Sequence, residues 1–152
     1  MYFVQVEVGG NTSIPGGPVQ FVPASISAPK GTVVTFRFSG VIAGNHTVTQ
    51  SSFDKPCQLL DGGFDSGFIY VPSNITYGFP EWNLTITDDT KPIWYYCKQL
   101  VHLPHCTAAG MVGFSYRAIN APTSGSETFA AFQQAAKNST GIPGQQEGTL
   151  KG

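Results

Sequence analysis

Hydrophobic and polar positions alternate in short runs along most of this chain. Val4, Val6 and Val8 alternate with Gln5 and Glu7, the period-two signature of a half-buried strand. Residues 19–22 make a second short run, ended by Pro23. After the turn Pro29-Lys30-Gly31, Val34, Phe36 and Phe38 share one face while Thr35 and Arg37 take the other. Residues 40–45 lead into a strand that carries His46 and Val48 on the same face. Residues 51–67, with Pro56, Gly62 and Gly63, read as loop, and residues 68–71 as a strand edge. Trp82, Leu84 and Ile86 alternate with Asn83, Thr85 and Thr87 before Asp88-Asp89 turns the chain. Residues 93–97 are β-prone and rich in aromatics, and Val112, Phe114 and Tyr116 make a last strand.

Short strands at this spacing, punctuated by Gly and Pro, predict an all-β sandwich or barrel. The period changes near the C-terminus. Ser126-Glu127-Thr128 precedes Phe129, Phe132 and Ala136, a spacing that predicts one amphipathic helix of about three turns. The division expected is a β-domain over residues 1–120, a helix over 121–138 packed on it or appended to it, and a flexible tail over 139–152.

Composition narrows the picture. A length of 152 residues favours one domain. Charged residues are only 11%, under half the usual share of about a quarter. The surface must be covered by Ser, Thr, Asn, Gln and Gly, which suits a secreted protein. A net charge of −1 lacks the basic footprint of a nucleic-acid binder. No apolar run is long enough to span a membrane. Five Asn-x-Ser/Thr sequons occur, at Asn11, Asn45, Asn74, Asn83 and Asn138. Together they favour a eukaryotic secretory route, with Asn11, Asn74, Asn83 and Asn138 as the glycosylation candidates. Asn45 is set aside, because a glycan beside His46 would crowd that side chain. No leader precedes the first strand pattern, so the chain reads as a mature form.

The chemistry concentrates in Trp94-Tyr95-Tyr96-Cys97-Lys98-Gln99-Leu100-Val101-His102-Leu103-Pro104-His105-Cys106-Thr107-Ala108-Ala109-Gly110-Met111. A thiol, two imidazoles and a thioether fall within it. With a second imidazole from elsewhere, one Cys, two His and a weak axial Met are the ligand set of a blue-copper electron-transfer site. His46 is the candidate from outside the stretch, since His102 and His105 are the other histidines. Zinc accepts the same residues as a tetrahedron. Each residue also has a plainer reading: His46 as a satisfied strand residue, Cys97 as a buried thiol packing as a small hydrophobe, Met111 as core. Trp94, Tyr95 and Tyr96 read as core and sheet residues, and Asp61, Asp65, Asp88 and Asp89 as turn residues. Three Cys suit one bridge and one special thiol. Without a Cys-x-x-Cys, a thioredoxin-like enzyme is excluded, and three His are too few for a multicopper oxidase. An enzyme is not expected.

These residues fall in an ordered pattern. Asn45-His46-Thr47-Val48-Thr49-Gln50-Ser51-Ser52-Phe53, Pro56-Cys57 and Gly63-Phe64-Asp65-Ser66-Gly67-Phe68 make its first half. Pro92-Ile93-Trp94-Tyr95-Tyr96-Cys97, His105-Cys106 and Gly110-Met111-Val112-Gly113 make its second. The pattern resembles the extracellular cupredoxins of filamentous fungi, relatives of the plant phytocyanins, over most of residues 3–137. The resemblance implies a Greek-key β-sandwich with one type 1 copper at one end, held by His46, Cys97, His105 and axial Met111. It also implies a disulfide between Cys57 and Cys106. Seven residues separate Cys97 from His105 where the family usually has about four, so His102 stands as an alternative ligand. The function implied is single-electron transfer with an extracellular redox partner, by a monomer that is secreted or lipid-anchored at the cell surface in its precursor form. A cell-wall module with weak or no copper, and copper capture or delivery, are the alternatives.

Overall fold

The computed structural model describes residues 2–10, 13–15, 17–40, 44–100, 103–116 and 127–139. Asn11, His102 and the expected tail beyond Ser139 lie outside them. Among the described residues, ten strands and one helix follow in chain order: β1 Phe3–Val8, β2 Phe21–Val22, β3 Ser25–Ser27, β4 Val33–Phe38, β5 Gly44–His46, β6 Thr49–Ser51, β7 Ile69–Val71, β8 Glu81–Thr85, β9 Ile93–Tyr96, β10 Val112–Tyr116 and α1 Phe129–Asn138. One four-stranded sheet runs β2-β1-β4-β8, the other β3-β10-β9-β6, and β5 with β7 form a two-stranded ribbon. β1 and β4 are parallel, as are β3 and β10; the remaining pairs are antiparallel. The architecture is an all-β sandwich with one short helix.

The alternating runs become the inner faces of the two sheets. Val6, Val8, Phe21, Val34, Phe36 and Phe38 from the first sheet meet Ile26, Tyr95 and Cys97 from the second in one buried cluster. The Tyr95 ring stands edge-on to Phe21 and Phe36, with centroids 5.1 and 5.3 Å away, a favoured geometry for aromatic pairs. Gly113 faces Tyr95 across β9 and β10. A Cβ there would lie 2.4 Å from the Tyr95 ring, so the ring occupies the space a side chain would need.

β9 is buried on both faces. Tyr95 and Cys97 point between the sheets, while Trp94 and Tyr96 join Val112, Phe114, Cys57, Cys106, Phe132 and Ala136 in a second cluster. The helix therefore packs on the outer face of the second sheet. Phe132 lies 4.5 Å from the Trp94 ring, which in turn stacks 4.8 Å from Phe114. Thr128 caps the helix by accepting the Ala131 N–H at 3.1 Å, as an N-cap hydroxyl should.

One element differs from the periodicity. The strand expected to carry both His46 and Val48 is two strands. β5 ends at His46 and pairs with β7, whereas β6 starts at Thr49 and pairs with β9. Residues 47–49 are all fully buried, so strict alternation fails where the chain crosses from the ribbon to the second sheet. β3, between Pro23 and Pro29, has too short a pattern to stand out in the sequence.

Truncation of Phe132 to Ala empties a fully buried position. The expected cost is about 3–5 kcal/mol, measured as a lowered urea midpoint with the disulfide intact. A loss under 1 kcal/mol would show that the helix is only loosely attached.

Candidate metal centre

His46, Cys97 and His105 come together in space. Each sits at the edge of a regular element. His46 is the last residue of β5, Cys97 follows β9, and His105 lies in the turn that leads to β10. Their ligand atoms all lie within 4.8 Å of one another. The Cys97 sulfur is 3.8 Å from His46 Nδ1 and 3.4 Å from His105 Nδ1. A metal ion about 2.0 Å from nitrogen and about 2.3 Å from sulfur holds such a pair about 3.5–3.7 Å apart at tetrahedral to trigonal angles. The observed separations bracket that range, so the three donors fit one ion. Among the described residues no other group of His, Cys, Asp and Glu converges in this way.

The site is dry. Cys97 is fully buried and the two imidazoles are each 8% exposed. Their rings lie 4.9 Å apart. Burial pushes His46 down to about 3, with the neighbouring His105 adding to the effect. Burial alone pulls His105 to about 4. Burial pushes the Cys97 thiol up to about 11, against the opposing pull of the Gln99 and Thr47 N–H groups. With no cation, the cluster at neutral pH is thus two neutral imidazoles and a thiol. The imidazoles are already in the state a metal requires, and a cation supplies the charge that favours the thiolate. A thiol so buried is the reverse of an activated nucleophile.

The loop between Cys97 and β10 is held by its own backbone and by the helix. His105 N–H donates to Gln99 O at 2.9 Å, Met111 N–H to His105 O at 2.8 Å, and Cys97 N–H to Met111 O at 3.1 Å. Met111 is fully buried and shares the inter-sheet cluster with Cys97. Gly110 has φ +68°, and a Cβ on it would fall 2.7 Å from Lys137 Cε and 3.1 Å from Gln133 Cγ. Gln133 donates to Gly110 O at 3.1 Å. Cys106, next to His105, is joined to Cys57, with Cα atoms 5.8 Å apart and a sequence separation of 49. Bridging a loop of that size is worth roughly 4 kcal/mol in the chain-entropy picture.

Several neighbours of the trio carry no metal-ligand signal in the sequence. Gly9, φ +87°, approaches so closely that a Cβ would lie 3.3 Å from His46 Nε2; the Gly9-Gly10 pair ending the first alternating run was its signal. Thr47 donates its N–H to the Cys97 sulfur at 3.3 Å. Asp65, read as a turn residue, does accept the Gly67 N–H at 2.9 Å, but it also reaches Thr49 and Lys98. Gln99 is fully buried, and neither side-chain polar atom has a partner among the described residues. The sequon residues Asn74, Asn83 and Asn138 are exposed, whereas Asn45 is 2% exposed.

No known protein family and no curated protein matches the chain. Solved structures similar to it are cupredoxins. A purple cupredoxin from Nitrosopumilus maritimus is 15% identical, covering 74% of this chain and 97% of its own, with a TM-score of 0.48. The oxidised plastocyanin of Dryopteris crassirhizoma is 20% identical, covering 74% and 98%, at 0.47. The dithionite-reduced auracyanin of Roseiflexus castenholzii is 14% identical, covering 76% and 96%, at 0.48.

Both imidazoles are held below their ordinary value of 6.5. Below that pH the unfolded chain binds protons that the folded chain refuses. Their contribution to stability is therefore full above about pH 6.5 and is lost as pH falls towards 4 and 3. The metal-free protein is expected to lose on the order of 2 kcal/mol per histidine between about pH 7 and pH 5. His105→Leu should lose about half as much as wild type. Urea unfolding at the two pH values checks this, and a pH-independent midpoint contradicts it.

Proposed function

We propose that this chain is a type 1 copper protein that carries single electrons outside the cell. His46 Nδ1, Cys97 Sγ and His105 Nδ1 would hold one copper, with the buried Met111 thioether as a weaker further donor. The observation that carries the reading is the buried trio itself: two imidazoles and one unpaired thiol, mutually spaced for a single ion. Copper supplies the one-electron couple, since soft sulfur suits Cu(I) and imidazole suits copper in either state.

The residues contribute four things. The imidazoles are neutral and need no deprotonation. Thr47 N–H bonds the sulfur and so tempers its electron donation. Burial keeps water from the thiolate. The sheets, the disulfide and the helix fix the donor positions, so little need move when an electron passes. A redox partner would meet an imidazole edge rather than the fully buried sulfur. Location outside the cell is supported by the Cys57–Cys106 bridge, since disulfides persist in oxidising compartments, and by three sequons at exposed positions. Among the described residues no helix is long and apolar enough to cross a membrane.

Copper titration of the disulfide-intact protein tests the reading. One equivalent should give an intense visible thiolate-to-copper band and release about one proton at neutral pH, from Cys97. The band should vanish in Cys97→Ser and His105→Ala and persist in His102→Ala. Loss in His102→Ala with retention in His105→Ala would make His102 the ligand. Tight copper uptake without the band would replace electron transfer by copper capture or delivery. No uptake by the folded protein would leave a cell-wall module.

A further inference from the structure

The motif Gly63-Phe64-Asp65-Ser66-Gly67-Phe68 supplies no metal donor, yet it is laced to the ligand-bearing segment. Gln50 N–H donates to Phe64 O at 2.8 Å, and Ser66 N–H to Val48 O at 2.9 Å. Val48 N–H donates to Ser66 Oγ at 2.8 Å. This antiparallel seam sets the Asp65 carboxylate beside Thr49, whose Oγ1 donates to Asp65 Oδ1 at 3.0 Å.

The direction of the next bonds follows from proton counting. A hydroxyl has one proton to give, and Thr49 gives its own to the carboxylate. In the 2.8 Å contact between Thr47 Oγ1 and Thr49 Oγ1, Thr47 must then be the donor. Thr47 Oγ1 in turn accepts the backbone N–H of Lys98 at 3.0 Å. The Lys98 ammonium returns to Asp65 Oδ2 in an ion pair and lies 5.3 Å from the centroid of the Phe68 ring. The interactions close into a ring that begins and ends on Lys98.

The ring passes through the two residues that matter most to the trio. Lys98 follows Cys97, and Thr47 follows His46. Thr47 is also the residue whose N–H reaches the Cys97 sulfur. Thr47 and Thr49 are fully buried, so their hydroxyls cannot turn to water. Without the carboxylate the Thr49 hydroxyl loses its present acceptor, at a cost of about 1–3 kcal/mol, and the pair would have to turn toward the Cys97 sulfur, which the Thr47 side chain also reaches. In a dry interior each bond also polarises the next.

We propose that Asp65 is a positioning residue for the metal centre. Acting through Thr49 and Thr47 and through its ion pair with Lys98, it locks the His46 and Cys97 segments together and holds the Thr47 N–H on the sulfur. The electronic consequence rests on the copper reading given above. The positioning does not, because it belongs to the metal-free chain.

Amide hydrogen exchange on the metal-free protein is the deciding experiment, comparing wild type, Asp65→Ala, Asp65→Asn, Thr49→Val and Thr49→Ser. In Asp65→Ala and Thr49→Val, the Thr47 and Lys98 amides should exchange at least tenfold faster, while Val34 and Phe36 in β4 keep their rates. Thr49→Ser restores the hydroxyl and should restore protection. Asp65→Asn keeps an acceptor oxygen for Thr49 but loses the ion pair with Lys98, and should exchange at a rate between wild type and Asp65→Ala. If Asp65→Ala does not fold, the Thr49 pair carries the comparison. Unchanged Thr47 and Lys98 protection overturns the proposal. So does acceleration shared equally by β4, which would mean that Asp65 merely stabilises the fold. In copper-loaded protein, Thr49→Val should also move the energy of the thiolate-to-copper band. A wild type with no such band defeats the copper reading while leaving the exchange comparison decisive for Asp65.

Discussion

An unpaired sulfur in a dry space between two sheets is the constraint on which the rest of this structure depends. Cys97 has no disulfide partner and no exposed surface. Charge cannot be placed there without compensation, so the thiol stays protonated and the two adjacent imidazoles stay neutral until a cation arrives. The arrangement stores no charge and invites one positive ion. That is why the same burial that makes the site a poor acid, base or nucleophile makes it a good metal site.

Holding three neutral donors close together requires support from outside the trio. β9 provides the axis, because it is buried on both faces. Its inward residues lead to Cys97 and its outward residues anchor the helix and the disulfide. The helix leans on the ligand loop at Gly110, where only a glycine leaves room. The Asp65 ring in turn binds the residue after each of two donors. The loop that carries His105 and Met111 is thus clamped from the outer face of the sheet, while the His46 and Cys97 segments are tied from the Asp65 side.

Much of this was legible one residue at a time. The alternation of Val34, Phe36 and Phe38, or of Trp82, Leu84 and Ile86, named the strands because a half-buried sheet imposes period two. The helix showed as a change of period at Phe129, Phe132 and Ala136. The aromatic run before Cys97 was recognisable as β, though not as a strand buried on both sides. The break between His46 and Thr49 was invisible, because both halves are β-prone and only their pairing partners differ. Asp65 looked like any turn aspartate. Its link to Thr49 and Lys98 depends on a seam between segments that share no local signal.

The sequence by itself determined the chemical alphabet of the site and the class of the fold. Residue types and period are local properties, and local physics reads them directly. It also supplied an ordered motif pattern, whose resemblance to known proteins suggested the Cys57–Cys106 pair. The tertiary structure decided what depends on distance through space. It set which nitrogens face the sulfur, how dry the site is, which way the Thr47 and Thr49 protons point, and where the helix rests. Those are set by the packing of segments far apart in the chain, as between Ser25 and Phe114 or Cys57 and Ala136, and no window along the chain contains them.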